Sequence, residues 1–315
     1  MMAVRLLLSA FASGSVFAQD YPTKPVRMLA PEPGGGNEIA GRILAQALVD
    51  GLGQHVVVEN RGGASGAIAG EIVAKAAPDG YTLLYYGSSI WLLPFLRSGV
   101  PYEPLRDFAP ISLATRAPFF LFVHPSLPVK NLRELIALAK AQPGTLNYGS
   151  AGSGSATHLS AELFKMVAGV KIERVAYKGS GLASTALAAG EIHLLFGSAS
   201  LGLAHAKTGR LRVLGVGSAQ PSPLAPEVPT MAAAGLQGYE AASLSGLFAP
   251  AKTPRQIIHR LNQEIVRALA RPDVKERFLN AAIEAIGSTP EEFGAVVRAD
   301  MAKWNKVIQA AGLRD

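Results

Sequence analysis

Residues 149–163 read GSAGSGSATHLSAEL. Six of the first seven are Gly or Ser, and an apolar-periodic run follows at once. Glycine gives up more backbone freedom on folding than any other residue, so this composition costs stability. Two explanations compete: a surface linker, or a loop whose backbone N–H groups come close to a ligand at the positive end of a helix. The pattern around it decides between them. LNYGS (146–150) reads as a strand and 157–168 as a helix, so the small residues sit where a strand hands over to a helix.

That arrangement repeats. VRMLA (26–30) is a strand, PEPGGGNE (31–38) a Gly-rich turn, and a helix follows with Ile39, Ile43, Leu44, Ala47 and Leu48 on one face. Tyr177-Lys178-Gly179-Ser180-Gly181 and Gly197-Ser198-Ala199-Ser200 are further turns between a strand and a helix. Other strands are expected at 55–60, 81–87, 119–123, 171–179, 193–198, 211–218 and 244–250. Helices are expected at 66–76, 131–142 and 182–190. Such alternation predicts a doubly wound α/β architecture, in which ligands bind beyond the C-terminal ends of strands. Pro-rich stretches at 101–118 and 221–229 are expected to be irregular surface connections. The C-terminal third reads as helical. Thr253-Pro254-Arg255-Gln256 and Thr289-Pro290-Glu291-Glu292 have the form of helix starts, and Gly312 that of a stop.

Composition bounds the function. The chain has 315 residues, 49% hydrophobic and 17% charged, which suits two folded domains. Arg5, an apolar run from Leu6 to Phe17, and Val16 and Ala18 at the −3 and −1 positions predict a signal peptide spanning 1–18, cleaved after Ala18. The mature protein is then exported to the periplasm. The chain has no Cys, which excludes disulfides, thiolate chemistry and a Cys-borne lipid anchor. The net charge of +7 is spread along the chain, which argues against nucleic-acid binding.

No motif for turnover is present. The chain lacks an intact dinucleotide fingerprint after a strand, a phosphate-binding P-loop and a nucleophile elbow. Its six His, at 55, 124, 158, 193, 205 and 259, show no metal spacing. His158 reads first as a structural hydrogen-bonding group in the opening turn of its helix. Many donors without a nucleophile–base pair favour binding over catalysis. No enzyme activity, cofactor or metal is expected.

These residues resemble the solute-binding receptors of tripartite tricarboxylate transporters, the Bug (Bordetella uptake gene) family. The similarity runs in order through YPTKPVR (21–27), PGGGNE (33–38), VVVENRGGASG (56–66), AAPDGYTLL (76–84), DFAPIS (107–112) and LNYGSAGSGSATHL (146–159). It continues through YKGS (177–180), GRLRVLGV (209–216), VPTMAAAGLQGY (228–239) and LFAPAKTP (247–254). The resemblance implies a two-domain clamshell of the type II periplasmic-binding-protein kind, each domain a mixed sheet flanked by helices. Domain one would comprise 19–120 plus 245–315 and domain two 121–244, with the ligand between them. It implies a monomer that captures a small organic solute, a carboxylate or an amino-acid-like molecule, for the integral membrane subunits of a transporter. The alternative is an exported sensor that presents its solute to a signalling partner.

Ligand contacts are expected from Glu32, Pro33, Gly35, Gly36, Asn37 and Glu38 on one side of the cleft, and from Ser88 and Ser89. On the other side they are expected from Ser150, Ser153, Ser155, Thr157, His158, Tyr177, Gly179, Ser198 and Ala199. The chain departs from the family at Ala30-Pro31-Glu32, where Pro-Phe-Ala is usual, and at Glu38, where Asp is usual. It also departs at Arg174-Val175-Ala176, Gly197-Ser198 and Leu244-Ser245. Glu32, if it faces the cleft, would repel a carboxylate or pair with an amino group.

Overall fold

The computed structural model describes residues 21–32 and 36–314. The signal-peptide segment, Pro33 and Gly35 lie outside the described residues. The first half of the chain forms β1 (Val26–Ala30), α1 (Gly36–Leu52), β2 (Val56–Asn60), α2 (Ala67–Ala74), β3 (Thr82–Gly87), α3 (Ser89–Leu96), the short α4 (Pro104–Asp107) and β4 (Phe108–Val123). The middle forms α5 (Leu132–Ala141), β5 (Asn147–Ser150), α6 (Ala156–Ala168), β6 (Glu173–Ala176), α7 (Ser180–Ala188), β7 (Leu194–Ser198), α8 (Ala199–Lys207) and β8 (Arg212–Val216). The chain then returns through β9 (Ala242–Pro250), α9 (Arg255–Ala270), α10 (Pro272–Asn280), β10 (Glu284–Ala285) and α11 (Pro290–Ala310).

The strands run β2-β1-β3-β9-β4-β7-β5-β6. β1 pairs parallel with β2 and β3, while β9 inserts antiparallel between β3 and β4. In the other half β5 pairs parallel with β6 and β7, and β4 lies antiparallel to β7 and β8. Both sheets are therefore mixed and flanked by helices.

β4 joins the two parts. Its residues Phe108–Pro118 pair with β9, and Phe119–Val123 pair with β7 and β8. This corrects the expectation of an irregular connection at 101–118. A strand tolerates proline where no ladder N–H is needed. Pro110 falls at a register shift, and Pro118 is the last residue paired with β9. The 221–229 stretch is irregular, as expected. Where the parts meet, Gly217 donates to the Phe119 carbonyl at 2.7 Å and accepts from the Ala241 N–H at 2.9 Å. A Cβ there would stand 2.7 Å from the Ala241 oxygen, so the crossing requires glycine.

Capping was legible at one C-terminal helix and not the other. Thr289 and Glu292 form a reciprocal capping box at α11. At α9 the helix starts one residue later than Thr253-Pro254 suggests: Pro254 occupies the cap position, and the buried Thr253 hydroxyl has no partner among the described residues. Gly312 ends α11 at φ 63°, with Leu313 N–H donating to the Ile308 carbonyl.

The apolar face of α1 packs with α9 and α10 on one side of the first sheet, through Leu44, Leu48, Leu261, Ile265 and Phe278. Ile39, placed on that face by periodicity, is 43% exposed instead. On the other side Trp91 meets Phe248 and Phe293 edge-on, and those two rings pack tilted at 4.7 Å. The buried Asp300 carboxylate accepts from both indoles of the chain, Trp91 and Trp304, at 2.9 Å each. This pins α3 to α11.

Candidate functional site

A cleft of about 560 Å³ opens where the loops of the two parts face each other. The first wall is the end of β1 and the start of α1. Glu38 is buried there and pairs with Arg42, whose Nη2 donates to Asn60 Oδ1 at 2.8 Å. Asn60 Nδ2 in turn donates to the Pro31 carbonyl at 2.6 Å. Asn37 Oδ1 accepts from Ser245 Oγ at 2.9 Å, which ties the helix start to β9. Glu32 lines the cleft, yet its carboxylate accepts from the Gly63 N–H. A Cβ on Gly62 would overlap the Glu32 side chain at 2.0 Å, so Gly62 makes room for it.

The opposite wall is the loop from Ala151 to Ser155 and the first turn of α6. Almost every side chain around it holds the loop. Ala151 N–H donates to Thr157 Oγ1 at 3.1 Å, and Gly154 N–H donates to His158 Nδ1 at 3.2 Å. Ser155 Oγ accepts from the His158 N–H and caps α6. Arg174, on β6, donates to Ser150 Oγ and to the Ala151 carbonyl, both at 2.7 Å. Behind the loop Glu162 accepts from Tyr148 at 2.7 Å and Lys165 at 2.8 Å, with His158 Nε2 at 3.7 Å. Burial pushes the Glu162 carboxyl up, but these three donors outweigh it and hold it down at about 2. The opening glycine-serine stretch is therefore a scaffolded strand-to-helix turn and not a linker.

Four helix starts contribute to the same cleft: Gly36 and Asn37 of α1, Ala156 and Thr157 of α6, Ser180 of α7, and Ser198 and Ser200 of α8. The first-turn N–H groups of a helix have no partners inside it, and the helix dipole adds positive potential. α7 and α8 have no side-chain cap on these groups. Ser198 Oγ and Ser200 Oγ lie 3.0 Å apart. The described wall contains no Lys or Arg. Its donors are backbone N–H groups at the helix starts and the hydroxyls of Thr115, Ser155, Ser180, Ser200 and Ser243, set beside the carboxylates of Glu32 and Glu38.

Of the residues singled out by sequence, Glu32, Gly36, Asn37, Glu38, Ser155, Thr157 and Ser198 line this cleft. Ser88, Ser89 and Ser153 line a second hollow beside it. Ser150 and His158 are buried and spend their polar atoms on the loop, and Ala199 is buried in the first turn of α8. Tyr177 packs against the second-part core, and Gly179 caps α7 without lining the cleft. Ser180 and Ser200 stood inside turns read as ligand-facing, but were not singled out. Thr115, Ala117 and Phe119 were hidden in the Pro-rich stretch. Ala281, Ala282 and Ile283, between α10 and β10, carried no sequence signal. Ala282 adopts φ 59° there. Below them the buried Glu284 accepts from Arg116 Nε at 3.0 Å and from Ser222 Oγ at 2.6 Å, joining the two parts under the cleft floor.

Among the described residues no cluster of His, Asp or Glu is arranged to hold a metal ion. The His158 ring faces the loop backbone and Glu162 and not the cleft hydroxyls. The arrangement suits holding an anion with fixed dipoles.

The family described as the tripartite tricarboxylate transporter family receptor matches residues 40–313. The protein BugT of Bordetella pertussis is 35% identical, over 98% of this chain and 95% of its own length. The R. palustris protein Rpa4515, solved with adipate, is 36% identical with a TM-score of 0.78, covering 93% of this chain and 99% of that one. MatC from Rhodopseudomonas palustris, solved with bound malate, is 29% identical with a TM-score of 0.73, covering 91% and 100%. The clamshell fold and the family are those of solute-binding receptors and not of enzymes. A cleft rimmed by helix starts, in a chain similar to these receptors along nearly its whole length, places the protein: it belongs to the tripartite tricarboxylate transporter receptor family that includes the Bug proteins.

Proposed function

We propose that this protein captures a small organic carboxylate in its cleft and hands it to the integral membrane subunits of a transporter. The observation that carries this reading is the convergence of four helix starts on one wall set that has no basic side chain. Oriented N–H groups recognise carboxylate oxygens at little reorganisation cost, and ordered waters extend their reach. Adipate in Rpa4515 and malate in MatC support a carboxylate as the class of solute. Glu32 does not demand an amine, because its carboxylate already has the Gly63 N–H.

The proposed ligand-facing set is Gly36 and Asn37 on one side, and Ser155 to Thr157, Ser180, Ser198 and Ser200 on the other. Ser150 and His158 hold the loop instead. The proposed moving parts are the first sheet with the C-terminal helices, and residues 121–244. The change of partners along β4 between Pro118 and Phe119 supports a boundary there. Closing the parts buries the solute, and a membrane partner distinguishes that closed state from the open one. The receptor acts as a monomer in the periplasm after cleavage following Ala18.

Native mass spectrometry of residues 19–315, followed by identification of small molecules released on denaturation, tests the solute class. A retained carboxylate, or a mass shift with added malate or adipate, is the expected result. A retained amine with no carboxylate binding would overturn it. Loss of solute uptake on deletion of the gene separates a transport receptor from an exported sensor.

A further inference from the structure

Beside the main cleft lies a second hollow of about 360 Å³. Its walls, like those of the cleft, come from both parts of the molecule. α3 and Leu313 supply one side, and the Gly152–Leu159 stretch supplies the other. At their closest, Leu96 stands 2.8 Å from where a Cβ on Gly154 would be, so the glycine lets the loop come down onto α3. Ser155 and Ala156 belong to the walls of both spaces. A solute whose carboxylate sits at the α6 start therefore has the second hollow directly beside it.

The chemistry of the two spaces differs. The second is lined by five leucines: Leu92, Leu93, Leu96, Leu159 and Leu313. Leu92, Leu93 and Leu159 are no more than 4% exposed and back the wall, while Leu96 and Leu313 are partly exposed and give the hollow its open apolar surface. Serine hydroxyls complete it, and Arg97, the cation in that wall, already has a partner of its own. A compact hydroxy acid would leave this leucine surface wet, whereas an apolar chain or ring would remove it from water.

Resting on the carboxylate reading above, we propose that the solute is a carboxylic acid with an apolar tail, and that the tail occupies the leucine hollow between α3 and the start of α6. Both spaces are bounded by the same two moving parts, so one extended ligand fills both when they close.

The test is isothermal titration of the purified protein with butanoate, hexanoate and octanoate, and with malate as a compact acid. Each methylene buried in the hollow tightens binding about fourfold. The same series is run on Leu96→Gln and, separately, on Leu313→Gln. Both positions are partly exposed, and two separate variants keep the test readable where one fails to fold. The expected result is a steep gain with chain length that flattens in the variants, while malate affinity stays the same in all three proteins. Equal affinity for all alkanoates, or a chain-length gain that survives both substitutions, overturns the tail site and leaves the carboxylate reading standing. Failure of every acid to bind overturns both.

Discussion

The two walls of the cleft are built from different materials. On the β1–α1 side ionic side chains fix the loop: Glu38 pairs with Arg42, Arg42 bonds Asn60, and Asn60 holds the Pro31 carbonyl. On the β5–α6 side neutral groups do most of the holding, through Thr157, Ser155 and His158, and Arg174 is the single cation added. Both solutions leave backbone N–H groups at helix starts facing the cleft. Many of the polar side chains here hold the loops, and the helix starts line the cleft between them. The departures from the family pattern at Glu32, Glu38 and Arg174 fall on residues that hold these loops.

The largest expected effect lies where the two walls are joined. Glu284→Ala removes the acceptor shared by Arg116 and Ser222. Breaking a buried pair from one side costs about 3–5 kcal/mol, and Arg116 at 31% exposure puts this case at the low end. Denaturant unfolding should show a loss of about 3 kcal/mol, with Glu284→Gln losing less because it still accepts a hydrogen bond. A loss below about 1 kcal/mol would mean that the junction is held by packing alone.

Arg174→Ala should act on binding more than on stability. It removes two donors from the loop while leaving every helix start in place. Two hydrogen bonds worth about 1 kcal/mol each correspond to a roughly tenfold to thirtyfold loss of malate affinity. Arg174→Lys should recover part of it. An unchanged affinity with a lowered melting temperature would make Arg174 a fold residue only.

How far the sequence disclosed all this follows the same divide. The strand–turn–helix units were readable because apolar periodicity and Gly-Ser turns are local signals, and β1, β5 and α6 lie within a residue or so of where they were placed. Phe108–Pro118 was not readable as strand, since Pro110 and Pro118 report a local preference that sheet pairing overrides. The Ala281–Ile283 floor could not be found, because small apolar residues at a cleft look like any others. Nor does a motif say which of its groups turn inward: Ser150 and His158 are indistinguishable in sequence from Ser155 and Thr157, yet only the latter pair reaches the cleft wall.

The two parts should also differ in acid. Glu59 on the first sheet is held at about 2 chiefly by hydrogen bonds from Arg27 and also by Arg61, near the surface. Glu162 reaches the same value behind the binding loop. A carboxyl lowered in the folded state adds stability above its unfolded value near 4.5, and this is lost as pH falls toward 2. Glu162 is 11% exposed against 29% for Glu59, so solvent and salt screen it less. Melting temperatures between pH 5 and 3 should therefore flatten more for Glu162→Gln than for Glu59→Gln, with the gap widening as salt is added. Equal flattening would mean that the two carboxylates are equally screened.

The smallest effect should come from the residue that looks most out of place. Glu32 puts a negative charge beside a cleft read as taking anions. Gln at this position keeps an oxygen for the Gly63 N–H and removes only the charge. If the Glu32 side chain serves the loop, Glu32→Gln should tighten malate binding by no more than about threefold at low salt, the remnant of a screened repulsion. At about 0.5 M salt, where the screening length drops to a few ångströms, the difference should vanish. A gain above tenfold that persists in salt would place the Glu32 charge against the solute itself. The β1–α1 wall would then select its ligand by a side chain, and the two walls would differ in what they recognise as well as in how they are held.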